Sequence, residues 1–208
     1  MKKGLTEIIF VIDKSGSMES KKEDAMGGFN RTLDEQRKED GEVVVTVTLF
    51  DTGYSIVHDG VPIDNVPLLT HNTYKPGGMT ALLDAMGRTI DKVGERLAET
   101  AEDQRPEHVV MVIITDGLEN ASQEYTKKQV AERVERQQNE YKWTFLFLGA
   151  DMAAIAEAQS MGIGHSIQGT QTGQQIQRSF GLVSQAICCV RKGEGVSDAW
   201  SSTSKTPN

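Results

Sequence analysis

From Glu7 to Ile12 the chain is apolar at every position but the first, and the run stops abruptly at Asp13. So short a run fits a strand buried on both faces, as in a parallel sheet with helices on each side. The signature returns at 108–114 and again at 143–148. Residues 43–50 are rich in β-branched side chains and alternate, which predicts a second strand. After the turn residues Asp51-Thr52-Gly53, residues 54–57 predict a short strand returning beside it as an antiparallel hairpin edge. A further edge strand is expected over 164–168.

Between these runs the apolar period changes from 2 to 3.6. Met26, Phe29 and Leu33 form one stripe within 19–38, and Leu82, Leu83, Met86, Ile90, Val93 and Leu97 continue a helical spacing from Thr80 to about Glu102. Val130 and Val134 anchor a helix over 127–139, a short helix is expected at 152–160, and Ile176, Phe180, Val183, Ile187 and Val190 fall in register over 172–190. Pro62, Pro67 and Pro76 mark 59–79 as a long loop, locally ordered at 62–66, and loops of this length tend to be functional. Strands alternating with helices imply right-handed crossovers. The expected fold is α/β: a Rossmann-like three-layer αβα sandwich whose central sheet is mostly parallel, with one short antiparallel edge strand.

At 208 residues and 38% apolar, the chain has enough material for one core. The domain is expected over 1–190. Residues 191–208, with Gly193, Gly195 and a Ser/Thr-rich end, read as a flexible tail in which Val196 and Trp200 are the residues able to dock.

The chemistry sits where the strands end. Asp13-Lys14-Ser15-Gly16-Ser17 follows the first apolar run and sets a carboxylate and two hydroxyls at alternate positions, with Gly16 allowing a tight loop. Hard divalent cations prefer such oxygen ligands. Gly77-Gly78-Met79-Thr80 opens an amphipathic helix with a hydroxyl, and Thr115-Asp116-Gly117 closes the strand at 108–114 with a carboxylate and a turn glycine. Taken singly, Asp13, Ser15 and Ser17 read equally well as caps of backbone N–H groups, and Thr80 reads as a helix N-cap, a ligand, or both. Asp51 reads as a turn residue.

Together, and in this order, the three motifs resemble the von Willebrand factor A domain with its metal-ion-dependent adhesion site, of the intracellular bacterial or phage type. The resemblance covers roughly residues 5 to 190. It implies that Ser15, Ser17 and Thr80 offer hydroxyls to an ion, while Asp13 and Asp116 hold it directly or through water. The implied ion is Mg2+, with Mn2+ or Ca2+ as alternatives. The implied function is that of an adaptor module: a protein partner presents Asp or Glu to complete the shell of the ion. His71, Asn72, Thr73, Tyr74 and Lys75, just before the third loop, are expected to shape partner specificity.

Composition narrows the rest. A net charge of −8 disfavours nucleic acid and anionic membranes as partners. The apolar runs are far below the roughly 18 residues of a membrane span, and Glu7 and Asp13 interrupt any signal-peptide core, so a cytoplasmic protein is expected. Cys188 and Cys189 are adjacent on a helical pattern and read as small buried thiols, and four scattered histidines lack zinc spacing. The alternative function is a magnesium-dependent phosphohydrolase or phosphotransferase of α/β fold. Such enzymes place a second aspartate two residues after the first, whereas Ser15 stands here, so no enzyme is expected. A dinucleotide fingerprint is missing as well, since Gly16 is the one glycine of the first loop.

Overall fold

The computed structural model describes residues 1–169 and 172–196. Six strands form one sheet: β1 (Lys2–Asp13), β2 (Glu42–Phe50), β3 (Tyr54–Pro62), β4 (Pro106–Ile114), β5 (Thr144–Gly149) and β6 (His165–Gln168), in the order β3-β2-β1-β4-β5-β6. β1 runs parallel to β2 and β4, and β5 to β4 and β6. Only β3 is antiparallel. The helices are α1 (Lys22–Gln36), α2 (Leu82–Glu99), α3 (Lys127–Tyr141), α4 (Met152–Ser160) and α5 (Gly173–Arg191).

Alternation within the central strands divides the core in two. Ile8, Phe10 and Ile12 of β1 join Val110, Val112 and Ile114 of β4 beneath α1 and α5, where Phe29 meets Phe10 edge-on. Ile9 and Val11 join Met111 and Ile113 beneath α2, α3 and α4. Each fully buried side chain of this size is worth about 1.5–3 kcal/mol of apolar transfer. These two layers clamp β1 and β4 side by side, and the rim they share carries the candidate site.

Several boundaries differ from the expected ones, among them the start of β1, at Lys2 instead of Glu7. β3 continues to Pro62 instead of ending at 57, pairing Val61 with Val45 and Pro62 with Val44. Gly60 and Pro62 had obscured this strand, and an edge position tolerates a proline at its end because no outer neighbour needs the N–H. The helix expected at 19–38 is a 3-10 turn, Gly16–Lys21, followed by α1. α2 stops at Glu99, where the Arg105 guanidinium donates to the carbonyls of Thr100 and Ala98. α5 extends to Arg191, whose guanidinium donates to the carbonyls of Gln36 and Asp40.

Val196 packs half-buried on the α1/α5 layer, while Trp200 lies outside the described residues. Cys188 and Cys189 are free thiols, partly exposed rather than fully buried, and Cys188 Sγ accepts a hydrogen bond from Gln36 Nε2 at 3.3 Å. No helix among the described residues is long and apolar enough to cross a membrane.

Candidate metal centre

Register assembles the site. Ile12 pairs with Ile114 and Asp13 with Phe50, so the first residues beyond β1, β2 and β4 emerge together on the carboxyl rim. In open parallel sheets this rim is where ligands bind.

Asp13 is fully buried. Its Oδ1 accepts the Ser15 N–H at 2.6 Å and its Oδ2 accepts the Thr115 hydroxyl at 2.7 Å. Burial pushes its carboxyl above the usual range, against those hydrogen bonds, and the nearby Asp116 pushes the same way. Tyr74, itself buried, donates its phenol to the Asp13 carbonyl at 2.5 Å, and burial holds that phenol protonated. Tyr74 is thus a strut behind the first loop, which corrects its expected role as an exposed specificity residue.

The hydroxyls face the same centre. Ser15 Oγ and Ser17 Oγ are 3.1 Å apart, and Ser17 Oγ donates to Asp116 Oδ1 at 2.5 Å. Ser15 is buried whereas Ser17 is exposed, so the cluster opens to solvent on the Ser17 side. Thr80 comes in from the third loop. A methyl group added at Gly117 would sit 3.1 Å from Thr80 Oγ1 and 3.8 Å from Ser17 Oγ, so glycine at 117 keeps open the space these hydroxyls line. Thr80 is not the cap of α2. Glu119 and Ser122 accept the N–H groups of Leu83 and Asp84, while Asn120 fixes the Thr80 backbone in both directions at 2.9 and 3.0 Å.

The first and third loops are laced together. Gly16 N–H donates to the Gly78 carbonyl at 3.1 Å and Gly77 N–H to the Lys14 carbonyl at 2.8 Å. Gly78 has φ +73°, and a side chain there would strike the Thr52 hydroxyl at 2.8 Å, so the turn requires glycine twice over. Asp51 accepts the Gly53 N–H at 2.6 Å and pairs with Lys14, a turn role as expected.

All five residues singled out from the sequence therefore converge. Sequence reasoning missed Tyr74 as a support, Thr115 as the partner of Asp13, Asn120 as the anchor of Thr80, and Lys21, whose ammonium pairs with Asp116. Thr115 lay within a quoted motif and was findable. The others carry no local signal.

The donor set can be tested against a small cation. Cis ligands of an octahedral ion bound at about 2.0–2.1 Å lie about 3 Å apart. The Ser15–Ser17 separation of 3.1 Å matches that edge. Among the described residues no group of three or more His, Cys, Asp or Glu gathers, so the cluster offers mainly neutral oxygen donors. A cleft of about 430 Å³ near Leu97, Pro106 and Trp143 lies at the amino ends of the strands, away from this rim.

No family model matches the chain, and neither does any curated protein sequence. Solved structures do. The fold is that of the von Willebrand factor A domain. The von Willebrand domain of the type V pili tip protein Mfa5 from Porphyromonas gingivalis aligns with a TM-score of 0.62 at 11% identity, over 88% of this chain and 94% of that one. Proximal thread matrix protein 1 of the mussel byssus aligns with a TM-score of 0.62 at 12% identity, over 90% of this chain and 49% of that one, and was also solved with a zinc-occupied adhesion-site motif. The conserved hypothetical protein BatB from Bacteroides thetaiotaomicron aligns with a TM-score of 0.56 at 14% identity, over 90% and 99%. The chain thus spans about half of the mussel protein and nearly all of the two bacterial domains.

Proposed function

We propose that this chain is a metal-dependent protein-binding module, in which Asp13, Ser15, Ser17, Thr80 and Asp116 hold a divalent cation and an Asp or Glu of a partner protein completes its shell. The observation that carries this reading is the hydroxyl cluster: Ser15 Oγ and Ser17 Oγ stand 3.1 Å apart on a rim where Asp13 is already satisfied by neutral donors. Mg2+ is the proposed ion, with Mn2+ or Ca2+ as alternatives, because the donors are hard oxygens. The zinc-occupied motif of the mussel protein supports a divalent ion at the equivalent place.

When bound, the ion supplies a Lewis-acidic position that a carboxylate can take. The chain's own residues orient the donors and leave the rim open at Ser17. Met79 and Leu118, exposed at 53% and 46%, lie beside Thr80 and Gly117 and offer apolar contact around that position. A net charge of −8 favours a protein partner over nucleic acid or an anionic membrane, and a cytoplasmic adaptor role accords with these features.

The phosphohydrolase reading is weaker. Both oxygens of Asp13 accept hydrogen bonds and the side chain is buried, so it is not presented to an incoming phosphoryl group.

Calorimetric titration with Mg2+ and Mn2+ tests the proposal. Wild type gives saturable binding, Asp13→Ala gives none, and Thr80→Ala keeps the fold and loses less ion affinity than Asp13→Ala. Wild type showing neither heat nor a higher melting temperature at millimolar ion overturns it.

A further inference from the structure

Lys21 looks in the sequence like one of several charges opening a helical segment. The fold sends it to the rim. It ends the 3-10 turn immediately before α1, its side chain is 17% exposed, and its ammonium pairs with Oδ2 of Asp116, whose side chain is fully buried. The other oxygen of Asp116 accepts Ser17 Oγ at 2.5 Å. Both carboxylate oxygens are thus committed, one to a tethered cation and one to a hydroxyl of the candidate shell.

We infer that Lys21 sets the charge of the ion site, holding Asp116 away from direct ligation and leaving a bound dication with a positive charge that selects an acidic group from the partner. The inference rests on the metal-binding reading above. Asp13 and Asp116 together would neutralise a dication, but Lys21 cancels one of them. Lys14 changes nothing in this balance because Asp51 pairs with it. Glu19, on the same turn, is exposed, where solvent and salt screen its charge.

Two consequences follow from one ammonium. The ion is held less tightly than it would be by two free carboxylates, and the position it leaves open attracts a carboxylate more strongly. Lys21 is a positioning residue in this account, since it acts through Asp116. Ligation through Oδ2 of Asp116 would break a charge-assisted hydrogen bond in a largely buried place, and ligation through Oδ1 would compete with the Ser17 hydroxyl that this oxygen accepts.

The test titrates Mn2+ into wild type, Lys21→Met, Lys21→Gln and Lys21→Arg, and reads solvent-proton relaxation by the bound ion. Changes to groups just outside a metal shell commonly move affinity by about 10–100-fold. Lys21→Met and Lys21→Gln are expected to bind about tenfold more tightly, with lower relaxation as Asp116 takes a position otherwise held by exchanging water. Lys21→Arg is expected to match wild type. If Lys21→Met does not fold, the Gln and Arg variants carry the comparison.

Equal or weaker binding by the neutral variants, or unchanged relaxation, overturns the inference and leaves Lys21 as a structural ion pair. Wild type that binds no ion overturns this inference and the metal-binding reading together. Ion binding abolished by Asp13→Ala but indifferent to Lys21 overturns this inference alone.

Discussion

Two buried carboxylates lie six residues apart on the same strand, Glu7 and Asp13, and they are satisfied in opposite ways. Glu7 Oε1 takes the Arg96 guanidinium and the Thr46 hydroxyl at 2.8 Å, and Arg96 reaches on to Asp59 at 2.8 Å. Its charge is closed within the chain, although Oε2 has no hydrogen-bond partner among the described residues. Among the described residues Asp13 receives only neutral donors, including the Ser15 N–H and the Thr115 hydroxyl. Burial raises the protonation tendency of both. One strand thus carries a buried charge with an internal counterion and another without. On the proposed reading, the second is where a cation from solution gains the most.

The largest expected effect breaks the closed pair. Arg96→Met leaves Glu7 buried with no cation, and losing one member of a buried pair costs about 3–5 kcal/mol. Denaturant unfolding at neutral pH should show that loss, and adding Glu7→Gln should recover most of it. Full additivity of the two changes would mean that the pair is not coupled.

The next effect belongs to the open site. An ion at one hundred times its dissociation constant adds about 2.7 kcal/mol to the stability of a protein that binds it only when folded. Melting curves with and without Mn2+ should show this rise in wild type and in Glu7→Gln, and no rise in Asp13→Ala. Adding a chelator should reverse it. A rise lost in Glu7→Gln would unseat the contrast between the two carboxylates.

A smaller effect appears in the pH dependence without metal. A carboxyl raised by burial contributes stability that is fully present below its ordinary unfolded value and is lost as the pH climbs through the raised folded value. For Glu7 and Asp13 that window opens at the ordinary carboxylate range and extends upward. The difference in unfolding free energy between wild type and Glu7→Gln should therefore shift in favour of the variant as pH rises across the window. Asp13→Asn should shift the same way in chelator. With saturating Mn2+, wild type should lose that disadvantage against Asp13→Asn but keep it against Glu7→Gln.

The smallest effect serves as a control for both carboxylates. Removing residues 197–208 should leave stability and the Mn2+ response unchanged. Ending the chain after Val190 also deletes Arg191, which bonds the Gln36 and Asp40 carbonyls at 2.8 Å, and Val196, which packs on the core. A loss of about 1–2 kcal/mol in thermal or denaturant unfolding is expected there, with the ion response intact.

Much of the fold was legible because its signals are local. A short apolar run ending at Asp13, β-branched alternation over 43–50 and a helical stripe through Leu83, Met86 and Ile90 each declare their element within a few residues. β3 was cut short because Gly60 and Pro62 erase alternation where pairing with β2 continues. Val196, expected as a residue able to dock, does rest on the core, while Trp200 falls outside the described residues.

The candidate site divides the same way. Asp13, Ser15, Ser17 and Asp116 stand in motifs at strand ends and Thr80 in a motif just before α2, and the sequence alone singles them out. Which of their oxygens face one another was decided by register: Ile12 lies opposite Ile114, which sets Thr115 against Asp13, and Asp13 lies opposite Phe50, which brings Lys14 to Asp51. Lys21 and Asp116 meet across 95 positions, and Arg96 and Glu7 across 89. No propensity or spacing rule reaches that far, because the partner of a buried charge is chosen by how packed layers bring distant strands and helices together. The sequence by itself determined which residue types stand at the ends of the strands; only the tertiary structure decided which buried carboxylate is given a counterion by a distant helix and which is given neutral donors.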